Sequence, residues 1–292
     1  MQRYFIQPEQ FGADTVTITG DDAHHLIRVM RAKEGDRVIV SDGMSREARV
    51  VVRSLEGGQA VADIEELLAL ENEPAVDVWI AQSLPKGDKL ELVIQKGTEI
   101  GASRFIPFTS ERTVVQWDAK KEGKRLERLQ KIAKEAAEQA HRNRVPEVSG
   151  VLSWKQLLQL VPDVDAAWFC YEKQNTQQLR SLIREAVASS GQPQAAETSL
   201  AGEAVAVTDS ERPVDADAQA GGEAASSAAS RRLRLLLIVG PEGGFTEKEA
   251  EAAEAAGCRA VSLGRRILRT ETAAMVGLTC ILYESGEMGG ME

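Results

Sequence analysis

Leu235-Leu236-Leu237-Ile238-Val239-Gly240-Pro241-Glu242-Gly243-Gly244-Phe245-Thr246 carries an unbroken apolar run into a glycine-rich turn. Thr246-Glu247-Lys248-Glu249 follows, a capping box that opens a helix. An apolar run of this kind is a strand covered on both faces, which is the habit of parallel α/β sheets. In such sheets ligands bind beyond the carboxyl ends of the strands, where this turn lies. Its glycines let a ligand approach the backbone closely. The turn is neither a Walker A motif nor the dinucleotide fingerprint, which disfavours an NTPase or an NAD enzyme. Chain mechanics alone weigh a ligand loop and a plain tight turn about equally.

A second loop has the same placement. Ser262-Leu263-Gly264-Arg265-Arg266-Ile267-Leu268-Arg269-Thr270-Glu271-Thr272 follows a strand at Ala260–Leu263 and leads into a helix at Glu271–Tyr283. Three arginines fall in five residues. At a helix start, positive charge opposes the helix dipole, so a purely stabilising role does not explain them. Ile267 and Leu268 are too apolar for an idle surface loop and should line something. Thr270 or Thr272 could cap the helix. That helix is apolar all round, with Ala273, Ala274, Met275, Val276, Leu278 and Ile281, so it should be buried.

Outward from these loops, strand and helix alternate from Pro74 onward, the signature of a parallel sheet. Val76–Gln82, Arg104–Phe108, Ala166–Tyr171 and Leu235–Val239 read as strands. Asp88–Ile100, closed by Gly101, Lys120–Arg142 and Thr176–Ala188 read as helices. The first 72 residues instead read as short β-branched strands with one helix, His24–Arg31, which suggests a small barrel. Glu71-Asn72-Glu73-Pro74 is the natural linker, giving a β domain at 1–72 and an α/β domain at 74–292. Residues 193–230 are alanine-rich, lack aromatics and hold seven acidic residues against one basic, so they read as a flexible acidic insertion.

The formal net charge of −10 argues at first against a nucleic-acid partner. However, −6 of it sits in 193–230, while residues 110–146 carry ten basic residues against six acidic. Lys121, Lys124, Arg128 and Lys131 recur at helical spacing as one stripe, which by itself is most simply a solvated face. The whole-chain charge therefore cannot veto RNA. No run approaches the roughly 20 apolar residues of a membrane span. The start lacks the pattern of a secretory signal. Cys170, Cys258 and Cys280 are few and far apart, which disfavours disulfides and a cysteine-built zinc site. The adjacent His24 and His25 point about 100° apart on a helix and do not make a chelate, so no metal is expected. A cytoplasmic protein is expected.

The pair VGPEGGFT (239–246) and LGRRILRTETA (263–273) resembles the SPOUT methyltransferases, closest to the RsmE type, the 16S ribosomal RNA uridine-N3 methyltransferases. Similar segments are DAHHLIRVMR (22–31), KGDK (86–89), QKGTEIG (95–101) and RNRVPE (142–147). The resemblance spans nearly all of the chain outside 193–230. It implies a PUA-like β-barrel, then an α/β domain with a deep trefoil knot that binds S-adenosyl-L-methionine and works as a homodimer. Part of the last helix would lie in the dimer interface. Val239, Gly240, Glu242, Gly243 and Gly244 would form the first cofactor loop; Leu263, Gly264, Ile267 and Leu268 would form the second. Arg269 would stabilise charge on the target base, and Glu271 would orient Arg269 or cap the helix. Arg3, Arg28, Arg31, Arg142 and Arg144 would meet RNA, with 16S ribosomal RNA or the small ribosomal subunit as partner. The sequence leaves open methylation of a different RNA nucleotide and a non-catalytic RNA-binding homologue.

Overall fold

The computed structural model describes residues 1–171, 177–189 and 232–290. The acidic insertion expected at 193–230 lies outside them.

The amino-terminal sheet contains β1 (Arg3–Phe5), β2 (Thr15–Ile18), β3 (Arg37–Ser41), β4 (Glu47–Glu56) and β5 (Gln59–Leu67), in the order β1-β3-β4-β5-β2. Only β1 and β3 pair parallel. Register breaks at Arg49/Val50 and Val52/Ser54 bend β4, as bulges do. Alternate residues Val38 and Val40, Ala48, Val50 and Val52, and Ala60 and Ala62 point into one core with Tyr4, Ile18 and Leu26. The expected helix from His24 to Arg31 is instead α1 (Gly20–His24), which loosens into a wider π-type turn over His25–Val29. Met30 N–H donates to His25 O, and Arg31 then takes a left-handed backbone (φ 54°).

The second sheet is wholly parallel. Its strands are β6 (Val76–Ser83), β7 (Arg104–Thr109), β8 (Glu147–Val148), β9 (Leu152–Ser153), β10 (Ala166–Cys170), β11 (Gln177–Gln178), β12 (Leu233–Val239) and β13 (Arg259–Ser262). They run β11-β13-β10-β12-β6-β7-β8, with β9 also on β7. Helices α2 (Lys89–Ile100), α3 (Ala119–Gln139), α4 (Trp154–Leu158), α5 (Leu179–Ser189), α6 (Glu247–Ala255) and α7 (Thr270–Glu284) accompany it.

The apolar run of β12 is split by the pleat. Leu235, Leu237 and Val239 enter a core shared with α2, α3, α5 and α7, whereas Leu236 and Ile238 enter the opposite core with α4 and α6. Central β12 is therefore covered on both faces, and its carboxyl end opens onto Gly240. The chain joins β12 at Leu233, at the amino end of the sheet.

Helix α7 buries Ala274, Gly277, Leu278, Ile281 and Leu282 on one side. A Cβ on Gly277 would stand 2.4 Å from a Leu237 methyl carbon, so glycine lets the helix lie directly on β12. Its other side is not buried within the chain as the all-apolar pattern suggested. Met275 and Val276 are half-buried, and Tyr283 is exposed.

Candidate active site

The loops after β12 and β13, residues 240–246 and 263–269, wall one cavity of about 870 Å3. Val239, Gly240, Glu242, Gly243, Gly244, Leu263, Gly264, Ile267 and Leu268 all line it, together with Arg269. The size suits a small-molecule ligand, for which roughly 300–1,000 Å3 is usual. A larger cavity of about 1520 Å3 lies between the amino-terminal sheet and α3. Its walls carry Asp21, Asp22, Asp42, Glu127, Glu135 and Glu138 against few cations, a poor match for a polyanion.

Local chemistry fixes the first loop. Gly244 takes a positive φ of 65° and donates to Pro241 O, closing a turn. Phe245 then drops into the core against Phe108, Trp154 and Phe169. Thr246 and Glu249 form the capping box read from sequence, and Glu249 also accepts from Glu111 N–H at 2.7 Å. Gly240 sits so close to Phe245 that a Cβ would fall 3.0 Å from the ring. Arg112 donates to Gly243 O at 2.8 Å from the cavity rim.

Thr270 joins the two loops, and sequence reasoning gave it a different task. Its hydroxyl donates to Gly240 O at 2.7 Å and accepts from Gln82 Nε2 at 2.8 Å. It does not cap α7; Arg269 occupies the cap position without a side-chain bond. Gln82, at the carboxyl end of β6, is fully buried, and its Oε1 has no hydrogen-bond partner among the described residues. A lone buried glutamine in an apolar strand was the available signal.

Glu242 lines the cavity as half of an ion pair with Lys89, which lines it too. It accepts from Lys89 Nζ at 2.9 Å and Lys86 N–H at 3.2 Å, tying the first loop to the Lys86–Lys89 turn. Burial would raise its carboxyl, but the Lys89 and backbone bonds outweigh burial and hold it below the ordinary range. The hydrogen bond to Glu242 in turn raises Lys89, which stays charged. Glu271 is buried 3.6 Å from the same Lys89 Nζ, and among the described residues no hydrogen bond reaches its Oε2. It lies beside Lys89, which lines the same cavity as Arg269.

In the second loop Gly264 has φ 110°, a backbone open to glycine, and a Cβ there would meet nothing. Leu268 packs on the core while Ile267 is 86% exposed, so only one of the two apolar residues is sheltered. Arg265, Arg266 and Arg269 are exposed at the cavity mouth.

Two of the expected RNA contacts need correction. Arg3 is 3% exposed and Arg142 is 4% exposed, and both guanidinium groups are turned onto internal partners. Neither offers charge to a phosphate. Arg28, Arg31 and Arg144 are exposed. On α3, Arg128 pairs with Glu91 and Lys131 with Asp21, which neutralises half of the expected stripe, while Lys121 and Lys124 stay exposed.

Fold and site together define an α/β protein with a small-molecule cavity at the carboxyl edge of its parallel sheet and a small β domain ahead of it. A family model described as an RNA methyltransferase domain matches residues 71–201 and 175–282, and one described as an RNA methyltransferase PUA domain matches 18–65. Ribosomal RNA small subunit methyltransferase E of Bacillus subtilis is 39% identical over 99% of both chains. The Mycobacterium bovis protein of that name is 35% identical, covering 90% of this chain and 84% of its own. The chain belongs to the ribosomal RNA small subunit methyltransferase E family. Among solved structures, the Neisseria gonorrhoeae enzyme bound to S-adenosyl methionine aligns with a TM-score of 0.71 at 25% identity, covering 97% of each chain.

Proposed function

We propose that this chain methylates N3 of a uridine in the decoding region of 16S ribosomal RNA, with S-adenosyl-L-methionine as cofactor. The observation that carries the reading is the single cavity between two glycine loops latched by Thr270, with arginines at its mouth. The residues fit that cofactor. Gly244 and Gly264 leave the backbone bare toward the cavity, and Leu263 and Leu268 supply an apolar wall. Glu242 on the wall is paired with Lys89, so the wall presents little unpaired negative charge. When bound, the cofactor supplies an electrophilic methyl on a sulfonium.

Uracil N3 is a poor nucleophile while protonated. Arg269, at the mouth and free of a capping bond, would hold the N3 anion or its flanking oxygens as charge develops. N3 is a pairing atom, so the base must be unpaired or flipped out to reach Arg269. The RNA would be gripped by Arg28 and Arg31, which the turn after α1 thrusts out beside exposed Val29 and Met30, and by Arg144. The exposed side of α7, with Met275, Val276 and Tyr283, is where a second copy would pack.

The test is to map methylated nucleotides in 16S ribosomal RNA from a strain lacking the gene, complemented with wild type or Arg269→Ala. Wild type should restore one N3-methyluridine; Arg269→Ala should bind cofactor normally and restore little. Restoration at another nucleotide, or no cofactor binding by calorimetry, would overturn the reading.

A further inference from the structure

Arg3 and Arg142 belong to one buried polar network that spans both domains. Arg3 leaves β1 and donates to Glu47 Oε2 on β4 at 2.5 Å and to Arg142 O at 2.8 Å. Asn143 Nδ2 reaches the same Glu47 oxygen at 2.6 Å. Arg142 turns inward instead, forking onto Glu73 at 2.6 and 3.2 Å and donating to the carbonyls of Thr98 and Ala102 at the end of α2. Glu73 also accepts from the backbone N–H groups of Asn143 and Arg144. Asn72 donates to Asn143 Oδ1 and to His141 O. His141 makes the reversal after α3 with a left-handed backbone (φ 57°). The segment that reads as a linker is thus stitched on both sides, and the Glu73 side chain is only 6% exposed.

We infer that Glu73, Arg142, Asn143, Glu47 and Arg3 form an interdomain clasp. These positioning residues fix the amino-terminal domain relative to the methyl-transfer cavity and turn Arg144 outward toward RNA. The inference rests on the proposed function. A folded RNA that touches both domains is presented correctly to the cavity only if their separation is set, and a shift near 1 Å can cost about 100-fold in rate. Across the cleft, three other ties are more exposed: Lys131–Asp21, Lys134–Asp22 and Phe5 N–H to Glu138. The buried side is the one that resists hinging.

The experiment compares full-length wild type with Glu73→Gln, Arg142→Lys, Arg142→Gln and the milder Asn143→Ala. Readouts are small-angle X-ray scattering, cofactor affinity and methylation of purified small subunits across salt concentration. The clasp predicts a larger radius of gyration and kcat/KM lowered roughly 10- to 100-fold. It also predicts unchanged cofactor affinity and an unchanged salt slope of RNA binding. Arg142→Lys keeps the charge but loses the fork, so it should behave like Arg142→Gln. A slope reduced by about one per arginine, with Arg142→Lys equal to wild type, would make Arg142 a phosphate contact and overturn the clasp. Scattering and kcat/KM identical to wild type in Asn143→Ala and every folded variant would overturn it too. An inactive wild type would sink the functional reading alone, because the scattering comparison still decides the clasp.

Discussion

Replacing Thr270 with valine removes one hydroxyl and almost no volume. That oxygen is donor to Gly240 O and acceptor from Gln82 Nε2, both inside the protein. An orphaned buried polar group costs about 1–3 kcal/mol. Gln82 Nε2 retains a bond to Ser83 O, so the total should be nearer 2–4 than 6 kcal/mol by the same rule. For a domain of this size that lowers Tm by roughly 5–15 °C. Half of it, charged to the relation between the two loops, would weaken cofactor binding about 5- to 30-fold. Titration calorimetry with S-adenosyl-L-methionine, beside thermal melts with and without it, measures both. Thr272→Val is the control, since Thr272 was the other possible cap and is only half-buried. A Thr270→Val protein with wild-type affinity despite a lower Tm would refute the latch, as would an equal loss in the control.

Other outcomes are expected. Gly97→Ala should destabilise: a helix gains about 1 kcal/mol from the exchange, but the new Cβ would lie 2.7–2.8 Å from the buried Phe105 ring, and overpacking costs about 1–3 kcal/mol. Chemical denaturation reads the sign, and a more stable variant would contradict the packing. Cofactor affinity should be flat from neutral pH down to the ordinary glutamate value near 4.3. It should fall only below that value, because the Glu242 carboxyl is lowered, so its bonds to Lys89 persist until it protonates. A loss between pH 7 and 5 would point to another group. Deleting 193–230 takes the net charge from −10 to −4 and should leave methylation nearly unchanged; loss of activity would mean the stretch contributes to function.

Periodicity and punctuation made the α/β portion legible. The apolar run at 235–239, the Thr246–Glu249 capping box and Gly101 behind α2 each say the same thing locally and in the fold. Residues 145–165 carried no such signal, because β8, β9 and α4 are two to five residues long. Helix α3 stops at Gln139, short of Arg142, because the chain reverses through His141 to bury the arginine. Composition reports how many charges a segment holds and nothing about which way they point. Arg142 and Arg144 look alike in sequence, yet one is an internal tie and the other faces solvent. Thr270 departs from the expected cap for a related reason. A hydroxyl beside a helix start is a cap only if no tertiary acceptor competes, and Gly240 O competes from 30 residues away.

Strand β12 has its two ends put to different uses. The first glycine loop leaves its carboxyl end at Gly240, while Leu233 starts it at the opposite rim, where it lines a second cavity with Ser189 at the end of α5. Seven strand residues separate the two by roughly 20 Å. The rim that holds Ser189 and Leu233 is thus an attachment port remote from the Gly240 cavity. An affinity handle or a fluorescent reporter grafted there would sit at the opposite end of the strand from the Gly240 cavity.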